Sequence, residues 1–145
     1  MVDLKSVFKR YSHLTFKDKV HIFIRRVTVP WDVILNNFPS GHTLIDVGCG
    51  HGLFINLLSS WKSGFEKYIG VDADADKIGI ARQTENDHIF FYHTDLFNLE
   101  KSADVYSFFD VLYLIPYDIQ EKIIKHIFRK LPLLWWYSKG HGSEE

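Results

Sequence analysis

The run Leu44-Ile45-Asp46-Val47-Gly48-Cys49-Gly50-His51-Gly52 decides how this chain is read, because a short apolar stretch empties into a turn with glycine at every second position. Glycine lacks a Cβ, so positions 48, 50 and 52 can take backbone angles closed to other residues and let a ligand lie against bare main chain. The residues that follow, Leu53-Phe54-Ile55-Asn56-Leu57-Leu58, read as a helix. Strand, glycine turn and helix start in series aim unpaired N–H groups and the positive helix end at whatever binds there. A plain strand-to-helix turn needs only one or two glycines.

Outward from this turn, strands and helices alternate. Apolar runs bounded by turn or charged residues predict strands at Thr43–Val47, Tyr68–Val71, Ile89–His93 and Val105–Phe109. Helices are predicted at Leu53–Trp61, Asp76–Gln83 and Ile119–Lys130. The last has Asp118 and Glu121 at capping-box spacing, with Ile119, Ile123, Ile124, Ile127 and Leu131 as its apolar stripe. Such alternation means an α/β fold, a parallel sheet with helices on its faces. Upstream, Leu4, Val7, Phe8 and Tyr11, then Val20, Phe23, Ile24 and Val27, recur at helical spacing and predict two amphipathic helices. Pro30 opens a third in which Trp31, Ile34, Leu35 and Phe38 share a core-facing side, and Pro39-Ser40-Gly41 ends it. The expected organisation is a helical segment over 1–39 on the substrate side, a ligand-binding domain over 40–137, and a polar tail over 138–145 expected to be mobile.

Composition sets bounds on these expectations. At 145 residues and 46% hydrophobic, the chain is long enough for one domain with a real core. No apolar run nears the ~20 residues of a membrane helix, and Met1-Val2-Asp3-Leu4-Lys5 is no signal-peptide start, so a cytoplasmic location is expected. The single cysteine, Cys49, makes no internal disulfide, and no Cys/His spacing predicts a metal site. A net charge of −1 conceals an asymmetry: residues 1–30 hold seven Lys/Arg against two Asp, the rest ten against sixteen Asp/Glu. Lys5, Lys9, Arg10, Lys17, Lys19, Arg25 and Arg26 thus form either a solvated face or a surface for an anionic substrate or membrane.

Open parallel sheets bind ligands beyond the carboxyl ends of their strands. Asp46 stands near the first such end, where it either closes the strand by bonding backbone N–H groups or meets ligand. Asp72, in Gly70-Val71-Asp72-Ala73-Asp74, stands at the second and can accept both hydroxyls of a ribose. Asp95, in His93-Thr94-Asp95-Leu96, suits the exocyclic amino group of adenine, and Phe109-Asp110 follows the fourth strand. Asp74 and Asp76 read as helix caps, Cys49 as packing, and His51 and His93 as structural. A dinucleotide fingerprint is G-x-G-x-x-G. Here the pattern is G-x-G-x-G, with Leu53 where the third glycine belongs, which disfavours a dinucleotide.

Over residues 40 to 131 the chain resembles the class I S-adenosylmethionine-dependent methyltransferases, through four motifs in order: Asp46 to Gly52, Gly70-Val71-Asp72, Asp95-Leu96, and Phe109 to Pro116. The resemblance implies a Rossmann-like three-layer sandwich with a mostly parallel sheet and S-adenosylmethionine as cofactor. It implies that Asp46, Gly48, Cys49 and Gly50 belong to the cofactor site, with Gly48 and Gly50 against the methionine part, and that Asp72 holds the ribose. It further implies that Ala73 and Leu96 flank adenine, that Asp95 takes its amino group, and that Phe109 and Asp110 border the transferable methyl. The chemistry implied is displacement at a methyl already activated by its sulfonium, for which alignment can supply about 7–11 kcal/mol and a general base is optional. Asp110, Tyr113 and Tyr117 are the catalytic candidates, with Tyr11 or His13 as lid residues. Leu114-Ile115-Pro116-Tyr117 lacks the leading Asn/Asp and the first Pro of methyltransferases acting on amino groups of bases. A small-molecule acceptor, lipidic among the options, is therefore expected, and nucleic acid is not.

Family members continue with a fifth strand, another helix and a closing antiparallel pair. Here Leu133–Tyr137 can be a fifth strand, and the polar tail cannot supply the pair. The expectation is a truncated domain with an exposed sheet edge, covered by a homo-oligomer or another partner. A noncatalytic binding or assembly module, and a nicotinamide-dependent oxidoreductase on a related fold, are the alternative readings.

Overall fold

The computed structural model describes residues 4–61, 64–109 and 111–131. Three helices, α1 (Leu4–Lys9), α2 (Phe16–Thr28) and α3 (Trp31–Asn37), precede the alternating part: β1 (Thr43–Val47), α4 (Leu53–Trp61), β2 (Lys67–Asp72), α5 (Ala75–Ala81), β3 (Ile89–His93), β4 (Val105–Ser107) and α6 (Tyr117–Lys130). The four strands form one parallel sheet in the order β3-β2-β1-β4. Strand order therefore reverses at β1, which pairs Ile45 with Ile69 on one side and with Tyr106 on the other. A crevice at this reversal is where such sheets take ligands.

Alternate residues of a strand point to opposite faces, and the two faces build two cores. Leu44, Tyr68, Ile89 and Phe91 pack with α4 and with Val7, Tyr11, Leu14, Ile22, Trp31 and Leu35 of the N-terminal part. Ile45, Val47, Ile69 and Val71 pack with Leu96, Leu99, Ala103 and Ile123. The Trp31/Leu35 side of α3 is core, as its spacing predicts. Helix α4 is buried along its first six residues, so it reads as apolar nearly all round. Its start sits so close to the sheet that a Cβ at Gly52 would stand 2.5 Å from the Phe91 ring.

Three local expectations change. Helix α6 begins at Tyr117 with Pro116 as its cap and no capping side chain, so the Asp118/Glu121 capping box does not form. Proline presets the helical entry, which leaves Asp118 in the first turn beside Lys122 and Glu121 beside Lys125. Strand β4 stops at Ser107, and Phe109 instead packs its ring 4.1 Å from that of Phe54. Helix α2 forms, but its stripe of Val20, Phe23, Ile24 and Val27 faces solvent, because Ile22 is the residue of this helix that enters the core. The expected fifth strand Leu133–Tyr137, the tail and Asp110 lie outside the described residues. Among the described residues no helix is long and apolar enough to cross a membrane.

Candidate functional site

The turn after β1 is built by main-chain bonds to β2: the N–H groups of Gly48 and Cys49 both donate to the Val71 carbonyl, at 2.8 and 3.1 Å. Gly48, Gly50 and Gly52 have φ of 74°, 55° and 77°, the left-handed region that favours glycine. At Gly50 the requirement is conformational alone, since a Cβ there would meet nothing nearer than Lys77 Cδ at 4.0 Å. The space beside it belongs to a cavity of about 550 Å³ at the carboxyl ends of the strands.

Each strand end contributes to that cavity: Gly48 and Gly50 after β1, Asp72 and Ala73 after β2, Asp95 and Leu96 after β3, Phe109 and Val111 after β4. Asp72 is fixed from two sides, accepting from Gly50 N at 2.8 Å and from Asp74 N at 2.9 Å. A carboxylate has about four acceptor positions, so it retains capacity for a ligand. Asp74 caps α5, accepting from the N–H groups of Asp76 and Lys77, and this bonding holds its carboxyl below the usual range. Asp76 sits in the first turn of that helix and is not its cap. Asp95 accepts from Phe97 N and Asn98 N through Oδ1 and from Asn98 Nδ2 through Oδ2. The cavity wall thus holds two acidic groups whose orientation is set by main-chain donors.

Two residues of the glycine motif lie elsewhere. Asp46 points to the sheet face opposite its neighbour Val47, which lines the cavity. Its carboxylate accepts from Ser107 Oγ at 2.7 Å, in register across β4, which ties β1 to β4. Burial pushes the Asp46 carboxyl up to about 7, with Asp72 adding to the rise and Ser107 and Arg25 opposing it. Cys49 is buried against Gly70, where an added Cβ would come within 2.8 Å of Sγ. Burial first, then the charges of Asp46 and Asp72, push its thiol well up, so it packs as a neutral group.

Of the acceptor-side candidates, Tyr113 is on the cavity wall and exposed, whereas Tyr117, also exposed, is not among the wall residues. His13 is exposed and off the wall. Tyr11 is no lid residue: its buried hydroxyl donates to the His51 carbonyl at 3.1 Å and accepts from Asn56 Nδ2 at 2.8 Å. Burial pushes its phenol pKa up.

The sequence reading missed two groups. Asn56, fully buried in α4, shares its amide hydrogens among Tyr11, Gly52 O and Thr84 Oγ1, and accepts from Arg10 at 2.6 Å. It ties the turn after α1, the glycine turn and the 3-10 turn after α5 together, and its one signal is a lone amide in an apolar run. The second group is basic: Arg25 of α2 and Lys77 of α5 line the cavity with Gly50, and the His21 imidazole of α2 lines it beside them. His51 joins them on the wall, its Nε2 3.4 Å from Asp18 Oδ1 and its ring 5.7 Å from that of His21. Burial pushes His51 down, against the pull of Asp18. His93 is exposed and bonds the Ala73 carbonyl through Nε2 at 3.1 Å.

A parallel sheet with this strand order, carrying a glycine turn and two oriented carboxylates around one crevice, defines a Rossmann-like class I methyltransferase fold. The chain belongs to the methyltransferase-domain family, whose sequence profile matches residues 17–133. Magnesium protoporphyrin IX methyltransferase from Synechocystis PCC 6803, solved with bound SAM, is similar at 25% identity and a TM-score of 0.56, over 86% of this chain and 65% of its own. The plantazolicin methyltransferase BpumL, solved with a substrate analogue and SAH, shares the fold at 20% identity and a TM-score of 0.58, over 79% of this chain and 49% of its own. A chain of the Haloferax volcanii complex containing the Trm112 methyltransferase activator does so at 24% identity and 0.59, over 69% and 46%. The chain thus spans about half to two thirds of the length of these proteins. No curated protein matches it by sequence.

Proposed function

We propose that this chain binds S-adenosylmethionine in the cavity at the strand ends and belongs to a methyltransferase for a small, apolar acceptor. The observation that carries the reading is Asp72, held by Gly50 N at 2.8 Å and opening onto the same cavity as Ala73, Asp95 and Leu96. In this reading Asp72 accepts the ribose hydroxyls, Asp95 accepts from the adenine amino group, and Ala73 and Leu96 border the ring. The bare main chain of Gly48 and Gly50 takes the methionine part. Arg25 and Lys77 give the same wall cations for its carboxylate, with the His21 ring beside them. The residues present fit such a group, because the cradle at Gly50 is open and both carboxylates are already oriented.

When bound, the cofactor supplies a methyl group on a positively charged sulfur. The protein's part is then to position an acceptor in line with that bond and to keep water from it. Phe109, Val111, Tyr113, Leu114 and Ile115 give that end of the cavity an apolar wall, which suits an apolar acceptor. Helix α2, carrying His21 and Arg25, acts as the lid on this side, and Asp110 and Tyr113 are the residues proposed to border the reacting methyl.

A thermal-shift comparison tests the reading against a nicotinamide enzyme on the same fold. S-adenosylhomocysteine should raise the melting temperature saturably while NADH leaves it unchanged. A saturable shift with NADH and none with the homocysteine product would overturn the proposal.

A further inference from the structure

Helix α2 is an amphipathic helix mounted with its apolar side outward. Phe16, Phe23 and Val27 are 84%, 58% and 65% exposed, and Val20 and Ile24 are exposed between them. At about 100° per residue these five side chains fall within an arc of roughly 100°. Exposed Lys17 and His21 border one side of the arc and exposed Lys19 the other. The mounting is fixed. Ile22, 2% exposed, enters the core, the Thr15 hydroxyl caps the helix and bonds Asp18 at 2.6 Å, and Trp31 Nε1 holds the Arg25 carbonyl at 3.1 Å. Scattered surface hydrophobics need no explanation, but a contiguous apolar stripe rimmed by polar residues marks a docking surface.

We propose that α2 docks this chain on an anionic lipid bilayer, with the stripe in the acyl boundary and the flanking lysines among acidic headgroups. Charge decides the occupant. Residues 1–30 carry seven Lys/Arg against two Asp in a chain whose net charge is −1, and of these cations the exposed Lys17 and Lys19 flank the stripe itself. An anionic bilayer offers both an apolar layer and acidic headgroups at the spacing an interfacial helix needs. Because His21 and Arg25 of the same helix line the cavity, docking places one side of that cavity at the membrane surface. The inference does not depend on the bound cofactor, since docking is read without it.

The test is flotation of the full chain with vesicles of phosphatidylcholine alone or mixed with phosphatidylglycerol. The chain should float with the mixed vesicles and not with the neutral ones, and added salt should weaken binding. Phe23→Ser/Val27→Ser should weaken partitioning about tenfold or more. Lys17→Glu/Lys19→Glu should remove the preference for anionic lipid. Both variants should keep the wild-type melting temperature, because the replaced side chains are exposed. No flotation at any composition, or equal flotation of wild type and the serine variant, would overturn the proposal. So would a dimer that the serine variant splits in the absence of vesicle binding.

Discussion

The backbone N–H of Gly50 donates to Asp72 Oδ2 at 2.8 Å, joining the turn after β1 to the end of β2. The acidic group and the bare main chain of the cavity are thereby one unit. Removing the carboxylate takes away the group proposed to hold the ribose and leaves the Gly50 and Asp74 N–H groups without their acceptor. A hydrogen bond to a charged group is worth about 1.5–3 kcal/mol. For Asp72→Ala, calorimetry should therefore show S-adenosylhomocysteine affinity reduced roughly 10- to 100-fold.

The two glycines nearest the cavity should respond differently to alanine. Gly50→Ala meets only the left-handed backbone, φ 55°, with open space around its Cβ, and should cost about 1–2 kcal/mol in urea unfolding. Gly48→Ala has φ 74° and also drives its Cβ to 2.5 Å from Val111 Cγ2. Overpacking adds about 1–3 kcal/mol, so Gly48→Ala should be the less stable of the pair.

Asn56 is the polar hub beneath the turn. Asn56→Ala removes the amide donor to the buried Tyr11 and Thr84 hydroxyls, leaving them only the bonds they donate to His51 O and Ala81 O, and removes the acceptor for Arg10. Unsatisfied buried groups cost about 1–3 kcal/mol, and thermal unfolding should show a loss of that size. The exposed Asn37, bonded to its own helix at Val33 O, is the control. Its alanine variant should stay within about 0.5 kcal/mol of wild type.

Asp46 predicts a pH dependence. Its folded pKa is raised from 3.8 to about 7, chiefly by burial. Across that window the folded chain keeps a proton that the unfolded chain has released, so its contribution to stability is full at acid pH and is lost as pH rises. Asp46→Asn retains an acceptor for Ser107 Oγ and has no proton to lose. The stability of the variant relative to wild type should therefore increase from about pH 4 to about pH 7 and level off above it.

Much of this fold is written locally in the chain. Strands β1 and β3 and helix α4 fall where apolar runs end at glycine, turn or charged residues, with Thr43–Val47, Ile89–His93 and Leu53–Trp61 as their bounds. The strand-end residues Asp72, Ala73, Asp95 and Leu96 converge on one cavity because a parallel sheet brings successive carboxyl ends together. What the sequence did not reveal depends on packing between distant elements. Periodicity marks α2 as a helix but not which side it turns outward, so its exposed stripe and the approach of His21 and Arg25 were hidden. Asp46 was ambiguous because its partner, Ser107, is 61 positions away on β4.

The crevice around Gly50 and Asp72 is proposed as the site for S-adenosylmethionine. Isothermal titration of the full chain with S-adenosylhomocysteine tests it most directly. Saturable heat with one ligand per chain, greatly weakened by Asp72→Ala, is the expected result. An absence of heat at millimolar ligand, with no accompanying rise in melting temperature, would contradict it.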